Sequence, residues 1–238
     1  MSSGSDHGRE ADILLLWERA VGLSRWRRDD ALLSAEGTPP GTLGARNIGL
    51  LAMRNRLFSR RWPLRSKCPA CGTDCEFEID SAALAGELAG MAPQETRAEI
   101  EVAGRSLALR APTVDDLQAV AHLASSKGAA TALLGRCVDG EIDLSDIADD
   151  ELAALGHNLE ALDPAAVVTF ELACPGCGGE WPAVMDVGEA VWAELRHAAE
   201  RALIEVDALA RAYGWSEDQV MALSPTRRAA YLQLAGAS

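Results

Sequence analysis

The chain has 238 residues and a formal net charge of −14 at pH 7. The charge is uneven, because residues 1–67 hold 12 Lys and Arg against 7 Asp and Glu, whereas residues 68–238 hold 10 against 29. Basic contacts to phosphate supply most non-specific affinity for nucleic acid, so this acidic body argues against nucleic acid as the main ligand. The polar N-terminus and the short apolar run 13–17 argue against a signal peptide and against membrane insertion, and we expect a cytoplasmic protein.

Residues 1–67 predict a helical, Arg-rich region. Amphipathic spacing predicts one helix over 11–23 and a second over 42–59, with a Thr-Pro-Pro-Gly break at 38–41 between them. The second helix and the segment after it carry a dense basic group, which we expect to meet an acidic protein surface. The members of this group are Arg46, Arg54, Arg56, Arg60, Arg61, Arg65 and Lys67.

The most informative motif, Cys-Pro-x-Cys-Gly, begins at Cys68 and again at Cys174. A Cys-x-x-Cys turn lets two thiolates reach one ion, and two such turns provide the closed tetrahedral ligand set of a structural zinc site. The Gly after each second cysteine can adopt a positive φ and bring backbone N–H groups close to the sulfurs. We therefore predict one structural Zn²⁺ per chain. The predicted ligands are Cys68, Cys71, Cys174 and Cys177.

The two motifs belong to the halves of a weak internal repeat, residues 68–80 and 167–187. In each half a short strand is predicted to end at an aspartate, Asp80 or Asp186, that caps the following helix. Alternating apolar residues predict further strands within 98–111. Together these segments predict a small antiparallel, zinc-ribbon-like sheet built around the metal.

Other roles for the cysteines remain as alternatives. Thiol–disulfide exchange also uses Cys-Pro-x-Cys, but a redox pair lies at a helix N-terminus, whereas each pair here is followed by Gly and a predicted strand. Cys75 is close enough to the first pair to act as an alternative ligand. Cys137 is interpreted as a small buried apolar residue.

Residues 81–166 predict a mainly helical insertion that contains a strand pair. Thr113 and Asp116 match a capping box at the start of a helix. A stripe of leucines with steps of three and four predicts a buried helix face, formed by Leu152, Leu155, Leu159 and Leu162. Asp163 before Pro164 predicts the cap and first residue of a further turn.

Residues 188–238 predict a three-helix unit. A long apolar line predicts a helix over 188–213 that ends at Gly214. Ser216 with Gln219 matches a second capping box, and Ser224 before a proline predicts the start of the last helix.

The last helices resemble a helix-turn-helix, in which Arg227 and Arg228 would contact phosphate. Acidic residues surround these arginines in the sequence, and this argues against a DNA-reading role. We expect Trp215 and Tyr231 to pack the three-helix unit or to contact a protein partner.

No catalytic constellation is recognisable in the sequence. It has no Gly-x-Ser-x-Gly, phosphate-binding Gly-rich loop or His-Glu-x-x-His motif, and its four His are scattered singly. The acidic run 143–151 does not follow a calcium-loop spacing and is interpreted as a solvated loop and helix start. We expect a protein that is not an enzyme.

Several features together resemble the baseplate hub assembly chaperone family of contractile phage tails and phage-derived contractile injection systems. They are the two Cys-Pro-x-Cys-Gly pairs, the strand ends Asp80 and Asp186, the phrase Ala-Tyr-Gly-Trp-Ser-Glu at 212–217, and Leu-Ser-Pro-x-Arg-Arg-x-x-Tyr-Leu at 223–232. The resemblance spans roughly residues 40–238. It implies a non-enzymatic cytoplasmic protein whose partners are the hub, spike or tape-measure proteins of the particle.

These observations predict an α+β, mostly helical protein with a four-cysteine zinc-ribbon-like sheet, a helical insertion and a C-terminal helical unit. The expected function is assistance in assembling the baseplate or hub of a contractile tail-like injection particle. Two alternatives stay open from the sequence. One is a stoichiometric structural subunit of the baseplate, and the other is a zinc-ribbon protein that binds nucleic acid.

Overall fold

The structure is a computed structural model that describes residues 3–37, 41–93, 95–102, 105–139, 144 and 148–236. The chain forms two compact units, one of Met1–Ala35 with Gly188–Ser238 and the other of Glu36–Val187. It is a mixed α+β protein in which helices predominate, as expected from the sequence. Most of the predicted break at 38–41 and most of the first half of the acidic run 143–151 lie outside the described residues.

The helices of the described chain are α1 (Ser3–Ala20), α2 (Arg25–Ala35), α3 (Leu43–Leu57), α4 (Ser81–Gly90), α5 (Val114–Val120), α6 (Ser126–Cys137), α7 (Asp149–Leu162), α8 (Val187–Tyr213), α9 (Glu217–Met221) and α10 (Pro225–Leu234), with a 3-10 turn at Pro164–Ala166. The strands are β1 (Arg61–Lys67), β2 (Asp74–Asp80), β3 (Arg97–Val102), β4 (Arg105–Arg110), β5 (Val138–Asp139), β6 (Val168–Ala173) and β7 (Glu180–Met185).

The unit formed by the two chain ends contains α1, α2, most of α8, α9 and α10. Helix α8 runs almost as predicted, and Gly214 follows it with a φ of +70°, a left-handed conformation that ends helices. Helix α2 was not predicted, because its charged residues hide a short apolar face. Leu32 and Leu33 of that face are buried.

The strands form three separate antiparallel sheets within the described residues. The pairs β1–β2 and β6–β7 are two-stranded hairpins, and β3, β4 and β5 form the third sheet. The prediction of one sheet around the metal is therefore wrong. Each cysteine motif lies in the loop of its own hairpin. The two strands that flank the loop therefore pair with each other and not with strands of the other hairpin.

Strand β1 was also missed by the sequence analysis, because arginines and Pro63 interrupt its apolar residues. Its side chains alternate as strand geometry requires, with Trp62 buried and Arg61 exposed. The strand enters the first cysteine turn in the same way that β6 enters the second.

The segment 81–166 contains α4–α7 and β3–β5, and one hydrophobic cluster joins most of these elements. Leu155, Leu159 and Leu162 of the predicted stripe are buried in it, and Leu152 packs at its edge. Cys137 is fully buried in the same cluster, and burial raises the pKa of its thiol to about 11. The interpretation of Cys137 as a buried apolar residue agrees with this position.

Asp163 ties the end of this segment back to α3. It precedes the 3-10 turn as predicted, but its side chain makes no cap hydrogen bond there. Instead its Oδ2 accepts a 2.7 Å hydrogen bond from the N–H of Gly44, in the first turn of α3. Asn47 of α3 donates from Nδ2 to the carbonyl of Ala165 at 2.9 Å. A cap predicted for a local turn therefore serves a helix that lies far away in the sequence.

Candidate metal centre

Each half of the centre is the loop of a β-hairpin. The first loop lies between β1 and β2, whose last pair is Lys67 with Asp74, and the second lies between β6 and β7, whose last pair is Ala173 with Glu180. The strand ends are thus held at hydrogen-bonding distance by the ladder, and six residues are left to form each loop. In both loops the Cys-x-x-Cys pair occupies the first four of these residues.

The two loops share one backbone geometry. In the first, the Cys68 N–H donates to the carbonyl of Thr73 and the Gly72 N–H donates to the carbonyl of Cys68, both at 2.9 Å. In the second, the Cys174 N–H donates to the carbonyl of Gly179 and the Gly178 N–H donates to the carbonyl of Cys174, again at 2.9 Å. The two glycines after the second cysteines, Gly72 and Gly178, have φ values of +74° and +72°, which glycine adopts without strain.

The two loops bring all four predicted ligands together. Their sulfur atoms lie within 4.8 Å of one another. The Sγ atoms of Cys68 and Cys177 are 3.7 Å apart, and those of Cys71 and Cys174 are 3.5 Å apart. A tetrahedral ion with metal–sulfur bonds of about 2.3 Å requires sulfurs separated by about 3.8 Å. The donor set therefore fits a single tetrahedral metal ion.

The close approach of the sulfurs disfavours a set of four bare thiolates. The Gly179 N–H stabilises the Cys177 thiolate and by itself would lower its pKa. The neighbouring sulfurs, of which Cys71 has the largest effect, outweigh this hydrogen bond and raise the pKa of Cys177 to about 12. In Cys174, the N–H groups of Cys177 and Gly176 outweigh the effect of burial and lower the pKa to about 6. A bound cation would remove the mutual repulsion and allow all four groups to ionise.

Cys75 lies beside the cluster but does not belong to it. It is the second residue of β2, is buried, and packs with Cys68, Cys174 and Trp181 in a small hydrophobic group. Burial is the main cause that raises the pKa of its thiol. In the described structure Cys75 therefore occupies an inner wall of the centre, while the four-sulfur group is complete without it.

The hairpins also contact each other through aromatic rings and through the loops. Phe77 of β2 and Phe170 of β6 have ring centroids 5.7 Å apart. A Cβ atom built on Gly176 would lie 2.8 Å from Oγ1 of Thr73, so a larger residue at this position would force the Thr73 side chain or the loop to shift. Ala70 stands at the equivalent position of the first loop.

The dense basic group predicted to face a partner is largely engaged within the chain. Along the first hairpin, Nη2 of Arg65 lies 2.7 Å from a carboxylate oxygen of Glu76, and Nζ of Lys67 lies 2.7 Å from one of Asp74. The remaining pairs are Arg61 with Glu78, Arg60 with Asp80, Arg56 with Glu36, and Arg46 with Asp186. The signal that sequence reasoning missed is the matching alternation of basic residues in β1 and acidic residues in β2.

Arg54 of the same group is fully buried. Its guanidinium donates to the Ser59 carbonyl at 2.8 Å and to Oγ of Ser81 at 2.7 Å, and it lies 4.3 Å from the ring centroid of Trp62. Arg54 is therefore part of the interior of its unit and not of a partner-facing surface.

Arg228, a candidate phosphate contact, is likewise buried. Its Nε donates to Glu205 at 2.8 Å and its Nη2 donates to Glu10 at 2.5 Å. The helix-turn-helix interpretation is wrong for this residue, because its guanidinium is enclosed by carboxylates. Its neighbour Arg227 is exposed.

The aromatic residues of the C-terminal segment pack together. Trp215 and Tyr231 thus take the first of the two roles predicted for them, which is packing within the three-helix unit. The rings of Tyr213 and Trp215 stack with centroids 4.8 Å apart, and Tyr231 meets Trp215 edge-on at the same distance. Tyr213 also donates from its hydroxyl to the Tyr231 carbonyl at 3.2 Å. The cluster joins the end of α8 to α10.

Comparison of the chain with protein-family models, with curated proteins and with solved structures gives no match. None of the described helices combines the length and the apolar composition that a transmembrane span requires. The four-cysteine cluster is the feature of the described residues that can hold a metal ion.

Proposed function

We propose that this chain is a non-enzymatic scaffold, braced by one structural zinc ion in a zinc-ribbon-like centre, that assists assembly of the baseplate or hub of a contractile tail-like injection particle. The observation that carries the zinc assignment is the convergence of four cysteine sulfurs from two hairpin loops. The sequence resemblance described above supports the assembly role and the class of partners.

The donor chemistry favours zinc. Four thiolates in a tetrahedral arrangement suit zinc or an iron–sulfur centre, and two Cys-x-x-Cys loops on hairpins are the usual frame of a zinc ribbon. When all four positions are occupied by protein sulfurs, no position is left for a water or substrate, so the ion acts as a cross-link. It would connect residues that are 103 to 109 positions apart in the sequence.

The role of a protein-binding scaffold agrees with the charge distribution. Residues 68–238 carry a large excess of acidic over basic residues. Arg60, Arg61 and Arg65 each lie beside a carboxylate of the same chain, which lowers the net positive charge that a phosphate would meet there. An acidic surface suits a basic protein partner, which it attracts and orients through long-range electrostatics.

The zinc assignment is tested by metal analysis of protein purified without a metal-binding tag. We expect one zinc per chain by mass spectrometry, and loss of zinc in Cys174→Ser. Structural zinc contributes on the order of 10–16 kcal/mol in finger peptides, so this variant should also lose much of its thermal stability. Cys75→Ser is the matched control and should keep the metal.

Three results would contradict this assignment. Detection of iron in place of zinc would show that the metal assignment is wrong. Loss of zinc in Cys75→Ser would show that the assigned ligand set is wrong. A metal-free protein with a redox-active dithiol would favour the thiol-exchange alternative.

The assembly role is tested in the organism that produces the particle. We expect deletion of the gene to abolish assembled particles in electron micrographs, and mass spectrometry of wild-type particles to lack the protein. Its presence there at a fixed stoichiometry would instead identify a structural subunit. Normal, contractile particles after deletion would refute both roles.

A further inference from the structure

The four sulfurs of the candidate metal centre differ in their exposure to solvent. Cys71 and Cys177, the second cysteine of each loop, are exposed. Cys68 and Cys174, the first cysteine of each loop, are buried, and each is 3 % exposed. Oxidation of cysteine follows exposure and thiolate character, and a cysteine that ligates a metal is a thiolate. A dissolved oxidant therefore meets one reactive sulfur in each loop.

Each exposed sulfur contacts the buried sulfur of the opposite loop. Sγ of Cys71 is 3.5 Å from Sγ of Cys174. Sγ of Cys177 is 3.7 Å from Sγ of Cys68. When an oxidised cysteine lies beside a second cysteine, the second sulfur attacks the first and forms a disulfide. The contacts therefore assign the partner of each exposed cysteine to the other hairpin.

We propose that hydroperoxides oxidise the centre at Cys71 and Cys177, and that oxidation replaces the zinc ion by two disulfides between the loops. The proposed pairs are Cys71 with Cys174 and Cys68 with Cys177. The inference rests on the proposed zinc centre, because it assigns an oxidised state to the same four sulfurs. Each disulfide joins residues of different loops, so the two hairpins stay cross-linked after the ion leaves. Removal of zinc from the reduced chain, in contrast, leaves the hairpins without a covalent or metal cross-link.

The reaction balances with hydrogen peroxide as the oxidant. The Cys71 thiolate attacks one oxygen of the peroxide, the O–O bond breaks, and a sulfenic acid forms as hydroxide leaves. The Cys174 thiolate then attacks the sulfenic sulfur, and the new S–S bond replaces the S–O bond as a second hydroxide leaves. Each disulfide therefore consumes one peroxide, which takes two electrons from the two sulfurs, and the hydroxides take up protons to give water. The ion stays Zn²⁺ throughout and is released because a disulfide no longer offers it thiolates.

The other two cysteines stay outside this exchange. Cys75 packs with Cys68 and Cys174, which are the buried members of the centre, and its thiol donates to the Thr73 carbonyl at 3.6 Å. Cys137 is fully buried in a different hydrophobic cluster. Buried thiols of this kind are inert towards a dissolved oxidant. Two of the six cysteines should therefore remain thiols after oxidation.

The test uses the full wild-type chain, loaded with zinc and treated with hydrogen peroxide. We expect release of one zinc per chain, followed with a chromogenic zinc indicator, and a fall from six to two thiols in the denatured protein. Trypsin cleaves after Lys and Arg, so it leaves the first loop in fragment 68–97 and the second in fragment 137–196. Disulfides between the loops join the two fragments, whereas a disulfide within one Cys-x-x-Cys pair leaves them separate. Tandem mass spectrometry of the joined fragments then identifies the paired cysteines.

A second measurement compares the oxidised chain with the reduced chain from which a chelator has removed the zinc. The disulfides connect residues 103 to 109 positions apart, so they reduce the entropy of the unfolded chain. The oxidised chain should therefore unfold at a urea concentration higher by at least about 1 M, followed by circular dichroism. Dithiothreitol together with Zn²⁺ should restore the starting zinc content and thiol count. Cys75→Ser is the matched control and should release zinc at a rate within about twofold of wild type.

Several outcomes would overturn the inference. Oxidised fragments that remain separate would place the disulfides within each loop. A disulfide to Cys75, or retention of zinc by Cys75→Ser under peroxide, would make Cys75 the partner of the oxidised sulfur. Sulfinic acid at Cys71 or Cys177 without a disulfide would show that the contact between the loops does not protect them. Zinc that stays bound in excess peroxide would show that the centre is inert to oxidation.

Failure of this inference is distinguishable from failure of the proposed function. A reduced chain that binds no zinc would refute the zinc assignment before any oxidant is added. A chain that binds zinc when reduced, but gives one of the outcomes above with peroxide, would refute only the oxidised state. The gene deletion tests the assembly role independently of both.

Discussion

Arg228 offers the sharpest test of how the C-terminal segment works. Its side chain is 2 % exposed, and its guanidinium donates to Glu10, to Glu205 and, at 3.0 Å, to the Leu223 carbonyl. Burial by itself would lower the pKa of Arg228, but the bonds to Glu10 and then Glu205 outweigh it and raise the pKa. The residue thus joins α1 and α8 to the start of α10. The change Arg228→Met keeps most of the aliphatic stem and removes the charge.

The expected cost follows from the exposure of the two partners. Removing one member of a fully buried ion pair costs about 3–5 kcal/mol, because the remaining charge is left without compensation. Glu10 and Glu205 are 24 % and 35 % exposed, so water compensates part of that loss. We therefore expect a loss near the lower limit, about 3 kcal/mol in the free energy of unfolding. For a chain of this size, this corresponds to a Tm lower by about 6–12 °C.

The assay is urea denaturation followed by circular dichroism, with Arg227→Met as the matched control. Arg227 is the exposed neighbour on the same helix, and its replacement should change stability by less than about 0.5 kcal/mol. Equal effects of the two changes, or a cost below about 1 kcal/mol for Arg228→Met, would refute the reasoning.

The remaining predictions concern a buried carboxylate, the cysteine loops and nucleic acid. Burial would raise the pKa of Asp116, but Arg110 and Thr113 outweigh it and hold the pKa below its usual range. Asp116→Asn should therefore lower the free energy of unfolding by about 2–3 kcal/mol at pH 7. In urea denaturation, the difference in stability from wild type should shrink as the pH falls below about 3.9, the ordinary pKa of aspartate. A difference that does not depend on pH would contradict this. Gly176→Ala should lower stability by about 1–3 kcal/mol through its contact with Thr73, as measured by chelator competition and denaturation. Adding Thr73→Ala to this variant should restore most of the lost stability. If the effects of the two changes simply add, the contact is not the cause. Binding to nucleic acid in a gel shift should be negligible at about 0.15 M salt; sequence-selective, sub-micromolar binding would favour the zinc-ribbon nucleic-acid alternative.

The parts of the fold that follow from local patterns were accessible from the sequence. Ser216 accepts from the Gln219 N–H at 3.3 Å in the predicted capping box, and Gly214 ends α8 in the predicted left-handed conformation. Asp80 accepts from the N–H groups of Ala82 and Ala83 as the predicted cap of α4. Such features depend on residues within one or two turns of each other, so spacing alone identifies them.

The candidate metal centre combines local and distant information. Each Cys-x-x-Cys loop is a local motif, and its repetition predicted which sulfurs would meet. The sequence did not indicate that the loops lie on two separate hairpins, since β1 is masked by its arginines and Pro63. It also could not show that Cys75 packs beside the four sulfurs without joining them. Cys75 has the same side chain as the clustered cysteines, and only its position on β2 separates it from them.

By itself, then, the sequence determined several helix caps, the four cysteines that cluster and the acidic character of the chain. Only the tertiary structure decided which charges are available to partners. Arg54 and Arg228 carry the same charge as exposed arginines, but one is buried beside Trp62 and the other between two carboxylates. The caps, strands and loops depend on neighbours in the chain, whereas burial and ion pairing depend on residues that only folding brings together, such as Glu10 and Arg228 at opposite ends of the sequence.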